Sequence, residues 1–129
     1  MFNILITSDP RYIINKDRIK QAVTDILEAQ RLKGEIEVEV NIVGDRKMQE
    51  LNKTYRGIDQ TTNILTFPLE QMSLGGFVAA PDKILRLGSI VISLPQAVLD
   101  AVRDNKTLDN ELIFLSEHGT RHLLGIHHD

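Results

Sequence analysis

The sequence has no cysteine and no tryptophan, few aromatic residues (5%), and only four prolines. Without cysteine there is no disulfide framework and no thiolate metal site. That suits a reducing compartment, and a cytoplasmic location is expected. No apolar run approaches the ~20 residues of a membrane-spanning helix, so no membrane partner is expected. The opening residues, Met1 to Ile6, lack the basic region and cleavage site of a signal peptide and read as a first strand. The formal net charge is −3. Proteins that coat nucleic acid non-specifically are usually basic, so bulk charge argues mildly against that class and leaves room only for a local basic patch. What the chain does have is 42% hydrophobic and 26% charged residues over 129 positions. That mixture excludes a disordered chain, a fibre and a coiled coil, and suits one domain, 1–129.

Apolar periodicity alternates between the strand and the helix repeat, the pattern of an α/β-like chain. Residues 2–7 predict a strand. Asn15 predicts the cap of a helix to about Leu32, with Ile19, Ala22, Val23, Ile26 and Leu27 on its buried face and Gly34 as its stop. Ile36, Val38, Val40 and Ile42 alternate with Glu37, Glu39 and Asn41, predicting a strand with one wet face, a charged face that suits a sheet edge. Asp45 predicts the cap of a second helix ending at Gly57, with Met48, Leu51 and Tyr55 as its buried stripe. Residues 62–67 read as a strand closed by Pro68. The stretch from Leu69 to Leu87 is too long for an ordinary connection and reads as a flap or a hidden short strand. Residues 88–93 predict a central strand. Pro95 opens a helix to about Asp104, and Thr107 caps a last helix to about Leu124, stopped by Gly125.

All four histidines, His118, His122, His127 and His128, lie in the last twelve residues. His118 and His122 stand four apart on the last helix, so both imidazoles leave one face. A turn at Gly125 lets His128 return to the same ion. Three imidazoles favour Zn(II), one per chain, with Ni(II) as a competitor in vitro. Three protein ligands leave a position open for water, as catalytic sites do; His127 or Asp129 as a fourth would close it into a structural site. The bland alternative is a set of exposed or core-satisfied histidines. Zinc peptidases with this spacing carry Glu directly after the first His, where this chain has Gly119, so a peptidase lacks its base. Helix 45–56 is locally basic, with Arg46, Lys47, Lys53 and Arg56 against Asp45 and Glu50. Its end reads either as a solvated face or as a phosphate-binding arginine.

These segments together resemble the YbeY family of bacterial metal-dependent endoribonucleases. The family signature His-Gly-x-x-His-Leu-x-Gly-x-Asp-His stands here at His118 to His128. Leu-Asn-x-x-Tyr-Arg-Gly matches Leu51 to Gly57, Thr-Asn-Ile-Leu-Thr-Phe-Pro matches Thr62 to Pro68, and Leu-Gly-x-Ile-Val-Ile matches Leu87 to Ile92. The resemblance implies an α+β fold: a small mixed sheet of about four strands flanked by helices, with a metal cleft beside the C-terminal helix. It implies His118, His122 and His128 as zinc ligands and Arg56 as the functional arginine. The implied substrate is single-stranded RNA, above all the 3′ end of small-subunit ribosomal RNA, with the ribosome as partner. Three departures stand out. Ser89 replaces an Asp, removing a carboxylate from a strand near the site. His127 replaces the Asp before the last ligand. The chain also ends one residue after His128, where the family continues into a further helix. The expected chemistry is metal-assisted phosphodiester hydrolysis, with Arg56 on the phosphate and Lys53 and Arg121 extending the positive surface. The competing readings are a ribosome-associated binding protein with a structural or vestigial metal, and a zinc peptidase or amidase.

Overall fold

The structure, a computed structural model, describes residues 1–69, 72–73, 76–77 and 84–126. Its elements run β1 (Phe2–Ser8), α1 (Lys16–Ala29), β2 (Glu35–Val43), α2 (Asp45–Arg56), β3 (Ile64–Pro68), β4 (Met72–Ser73), β5 (Gly76–Phe77), β6 (Ile84–Ser93), α3 (Leu94–Arg103) and α4 (Leu108–Leu123). The main sheet is mixed, in the order β1-β2-β6-β3. β1, β2 and β6 are parallel, and β3 returns antiparallel along β6 as an edge. β4 and β5 pair as a two-stranded ladder inside the stretch expected to hold a flap or a short strand. This is a single small α+β domain.

α1 and α4 cover one sheet face. Ile19, Val23 and Leu27 of α1 and Leu112, Leu115 and Leu123 of α4 close over Ile36, Val38, Val40, Ile42, Ile90 and Ile92. Burying this many aliphatic side chains, each contributing about 1.5–3 kcal/mol, is the main driving force of the fold. A smaller cluster, Met48, Leu65 and Val91, seats α2 on the opposite face. α2 covers only the β3–β6 half of that face, and this is why β2 keeps Glu37 and Glu39 there although it lies inside the sheet rather than at an edge. The alternation reported a face open to water, and an edge is only one way to open a face.

β6 carries a register irregularity opposite Glu37 and Val38, where Arg86 and Gly88 pair and Leu87 is left over. Such a bulge shifts side-chain parity by one. Leu85 and Leu87 before it and Ile90 and Ile92 after it therefore all join the same core. Gly88 takes φ +138°, and a Cβ there would meet the Phe67 carbonyl oxygen at 2.2 Å, so only glycine fits.

The helix caps at Asn15 and Thr107 form as predicted, their side chains accepting from Arg18 N and Asn110 N. Three expectations shift. α1 ends at Ala29, before Gly34, because Arg31 itself takes the left-handed conformation (φ 57°). Asp45 does not cap α2: Gly44 is the N-cap, and the Asp45 carboxylate instead accepts from Thr61, Ser93 and Gln96. Tyr55 is exposed rather than buried, its ring edge-on to Phe67 at 5.1 Å; Asn52 takes the buried place, donating to Gln60 O.

Candidate active site

Two elements on opposite faces of the sheet reach one cavity around its β3 edge. α4 lies on the face of Ile64 and Thr66, and α2 ends beside the same edge. The cavity, about 310 Å³, is lined by Arg56, Ile64, Leu65, Thr66, His118 and His122. Arg56 is the last residue of α2, and Gly57 ends the helix in the left-handed conformation (φ 71°). The guanidinium thus leaves from a helix C-terminus, where a cation is favoured.

The histidines come from consecutive turns of α4. Their Nε2 atoms stand 3.0 Å apart, and the rings meet at 63°. Behind His118 the Phe114 ring stacks nearly parallel at 6.3 Å, and Lys106 caps Phe114 at 4.2 Å. This column flanks the His118 imidazole on the side away from His122. Two imidazole nitrogens on one tetrahedral zinc would stand roughly 3.3 Å apart. The pair fits two corners of such a site in spacing and in donor chemistry.

α4 can approach the sheet this closely because of Gly119. A Cβ there would lie 2.8 Å from Ile90 Cγ2. The glycine in place of a peptidase's Glu is therefore the contact point of helix and sheet, between the two histidines. Beyond α4, Gly125 N donates to His122 O and Ile126 N to Arg121 O, folding the chain back on the last helical turn. His128, with His127 and Asp129, lies outside the described residues. Among those described, no group of three or more His, Cys, Asp or Glu converges.

Other expected residues are distributed differently. Lys53 lies 3.9 Å from Asp59, and neither it nor Arg121 lines the cavity. Ser89 is not near the histidines. It faces the opposite side of the sheet and donates to Glu39 at 2.8 Å, so the replaced carboxylate belongs to that face. Asn63 donates to Asp100 and pins the start of β3 to α3, a structural role for part of the Thr-Asn-Ile-Leu motif.

Thr66 was not singled out by its sequence. Hydrogen bonds from Leu69 N to Leu87 O and from Ser93 N to Asn63 O set which residues of β3 face β6. By antiparallel alternation Ile64 and Thr66 turn their backbone groups to the open edge. Thr66 therefore brings a neutral N–H donor to the side of the strand that the cavity occupies. The signal was present only in the pairing of β3, which sequence does not print.

Comparison with known proteins finds relatives over most of the chain. A family model described as endoribonuclease YbeY matches residues 6–129. An endoribonuclease YbeY of Moorella thermoacetica is 43% identical over 102 residues, covering 78% of this chain and 65% of its own length. One of Dehalococcoides mccartyi is 30% identical over 132 residues, covering 98% of this chain and 77% of its own. The solution structure of TM1509 from Thermotoga maritima superposes with a TM-score of 0.62 at 26% identity, covering 98% of this chain and 75% of that one. Against the Moorella protein, the aligned chain spans just under two thirds of the relative's length. A match that begins in β1 and continues past α4 establishes that the chain belongs to the endoribonuclease YbeY family, hydrolases that act on RNA.

Proposed function

We propose that this protein is a zinc-dependent endoribonuclease specific for single-stranded RNA, acting in the cytoplasm on ribosomal RNA, at the 3′ end of the small-subunit RNA. The observation that carries this is the pairing of His118 and His122, 3.0 Å apart, with Arg56 across one cavity. His118 and His122 would hold the metal, with His128 as third ligand. A zinc ion there supplies Lewis acidity toward a phosphodiester and its attacking group. Arg56 binds the phosphate and stabilises the charge that builds on its oxygens, a role its planar fork suits better than a lysine would. The Thr66 N–H, turned to the same edge, can donate to a further phosphate oxygen. Among the described residues no strand pairs along the outer side of β3, so a substrate backbone can lie across it, which favours a single strand over a rigid duplex. Gly119 in the place of a general base argues against amide hydrolysis.

The test is cleavage of an end-labelled small-subunit RNA 3′ fragment, single-stranded or annealed to its complement, by zinc-loaded protein. Wild type should cut the single strand, His122→Ala should not, and Arg56→Ala should lose roughly 100- to 1,000-fold in kcat. Equal cutting by wild type and His122→Ala overturns the reading. RNA binding without cutting by the zinc-loaded wild type favours a ribosome-associated binding protein instead.

A further inference from the structure

The sheet face opposite α4 holds a second and larger cavity, about 680 Å³, along the half that α2 leaves uncovered. Its walls are apolar at Leu51, Val91 and Phe67, and polar at Asn41, Lys47 and Ser89. Tyr55 forms one side, its ring largely exposed and edge-on to Phe67. Asn41 is half-buried on this face, and its carboxamide makes no hydrogen bond among the described residues. Lys47 likewise has no ion pair among them. Asp9 at the rim is occupied by Arg11 at 2.6 Å.

We infer that this groove receives a base of the RNA strand next to the nucleotide being cut, an inference that rests on the nuclease reading above. An open aromatic ring offers a stacking plane that every base can use. A carboxamide offers both donor and acceptor to a base edge. A lysine at the rim matches the phosphate that accompanies each base. An apolar peptide would use the ring but leave Asn41 and Lys47 unanswered. The groove also adjoins the cavity of the histidines. Tyr55 and Arg56 are neighbours on α2, and Phe67 and Thr66 are neighbours on β3; in each pair one residue lines one cavity and its neighbour the other. A strand crossing the β3 edge with its phosphate at Arg56 brings an adjoining base to Tyr55.

The chain has two tyrosines, so 3-fluorotyrosine labelling gives two 19F resonances, assigned with Tyr12→Phe. The probe is a single-stranded 2′-O-methyl oligonucleotide, which binds without being cut, and its abasic counterpart. The Tyr55 resonance should shift saturably while that of Tyr12 stays put. The abasic strand and the Asn41→Ala variant should each weaken binding about tenfold. In cleavage assays Tyr55→Ala should raise KM by a similar factor and leave kcat near wild type. If wild type cuts RNA while the Tyr55 resonance does not move at saturation and Tyr55→Ala keeps the wild-type KM, the groove proposal falls and the nuclease reading stands. If the resonance shifts but zinc-loaded wild type cuts nothing, the nuclease reading falls and the base site stands. A dimer in sedimentation that Tyr55→Ala dissociates would make the groove a self-association face and overturn the proposal.

Discussion

Asp45 joins four segments through one carboxylate. Thr61 donates to it at 2.9 Å, Ser93 at 2.8 Å and Gln96 at 3.2 Å, tying the start of α2 to the loop before β3, the end of β6 and the first turn of α3. Burial pushes its pKa up, but the hydrogen bonds from Ser93, Thr61 and Gln96 outweigh it and hold the carboxyl below its ordinary 3.8. A carboxyl with a lowered folded-state pKa stabilises the protein above the ordinary value and loses that contribution as pH falls through the folded one. Asp45→Asn should therefore cost about 1–2 kcal/mol in urea unfolding at pH 7. The gap from wild type should be constant above pH 5 and narrow progressively as pH falls below 4. A gap as large at pH 3 as at pH 7 would show that the role is steric. Locally, an Asp before a helix is a cap; its real partners lie 16, 48 and 51 residues away, and no local pattern carries that information. The histidine pair is the opposite case. Both members sit on one helix, so their spacing alone fixes their proximity.

At the scale of elements, the sequence disclosed what depends on one element and hid what depends on two. The buried faces of α1 and β2 follow their own periodicities. The exposure of Tyr55 does not, because it depends on where α2 crosses the sheet and how much of it α2 covers. Nor does the bulge in β6, since a run of β-branched residues reads alike with or without a change of parity. Gly119 lies between these cases. A glycine inside a helix implies a close neighbour, and the structure supplies it as Ile90. Gly119→Ala gains about 1 kcal/mol in helix propensity, yet its Cβ meets a fully buried side chain at 2.8 Å. Overpacking of this kind costs about 1–3 kcal/mol, so the variant should be destabilised on balance and its histidines displaced from the β3 edge. In combination with Ile90→Ala, the two substitutions should cost less than the sum of their separate effects. Additive costs would mean that Ile90 is not the obstacle.

Across the whole molecule, the site is an assembly of distant parts: Arg56 from α2, Thr66 from the β3 edge, the histidines from α4. A metal held by the histidines would bind the folded chain and not the unfolded one, so its binding energy would add to stability. Zinc at about 100 times its dissociation constant should add roughly 2.7 kcal/mol and raise Tm. His118→Ala should abolish the rise, and Arg56→Ala should keep it. A rise of equal size in His118→Ala would place the metal elsewhere. Arg56, His118 and His122 were legible as candidates because their side chains carry distinctive chemistry, whereas Thr66 was not, and Lys53 and Arg121 were expected but do not line the cavity. The outline of the site was not legible, because that depends on which strand forms the sheet's edge, and edges are a property of topology.

α4 packs most of all on α1, and Asn15 and Asp109, at the starts of the two helices, are joined by a hydrogen bond across 94 positions of sequence. The β2–β6 pairing likewise waits for residues that follow β2 by about fifty positions. A chain emerging from the ribosome in order can make α1, β1 and β2 early but cannot cover them until the last helix arrives. The element that seals the core is also the one that carries His118 and His122. For the nuclease proposed above, then, a chain interrupted before α4 would have neither a sealed core nor the histidine pair.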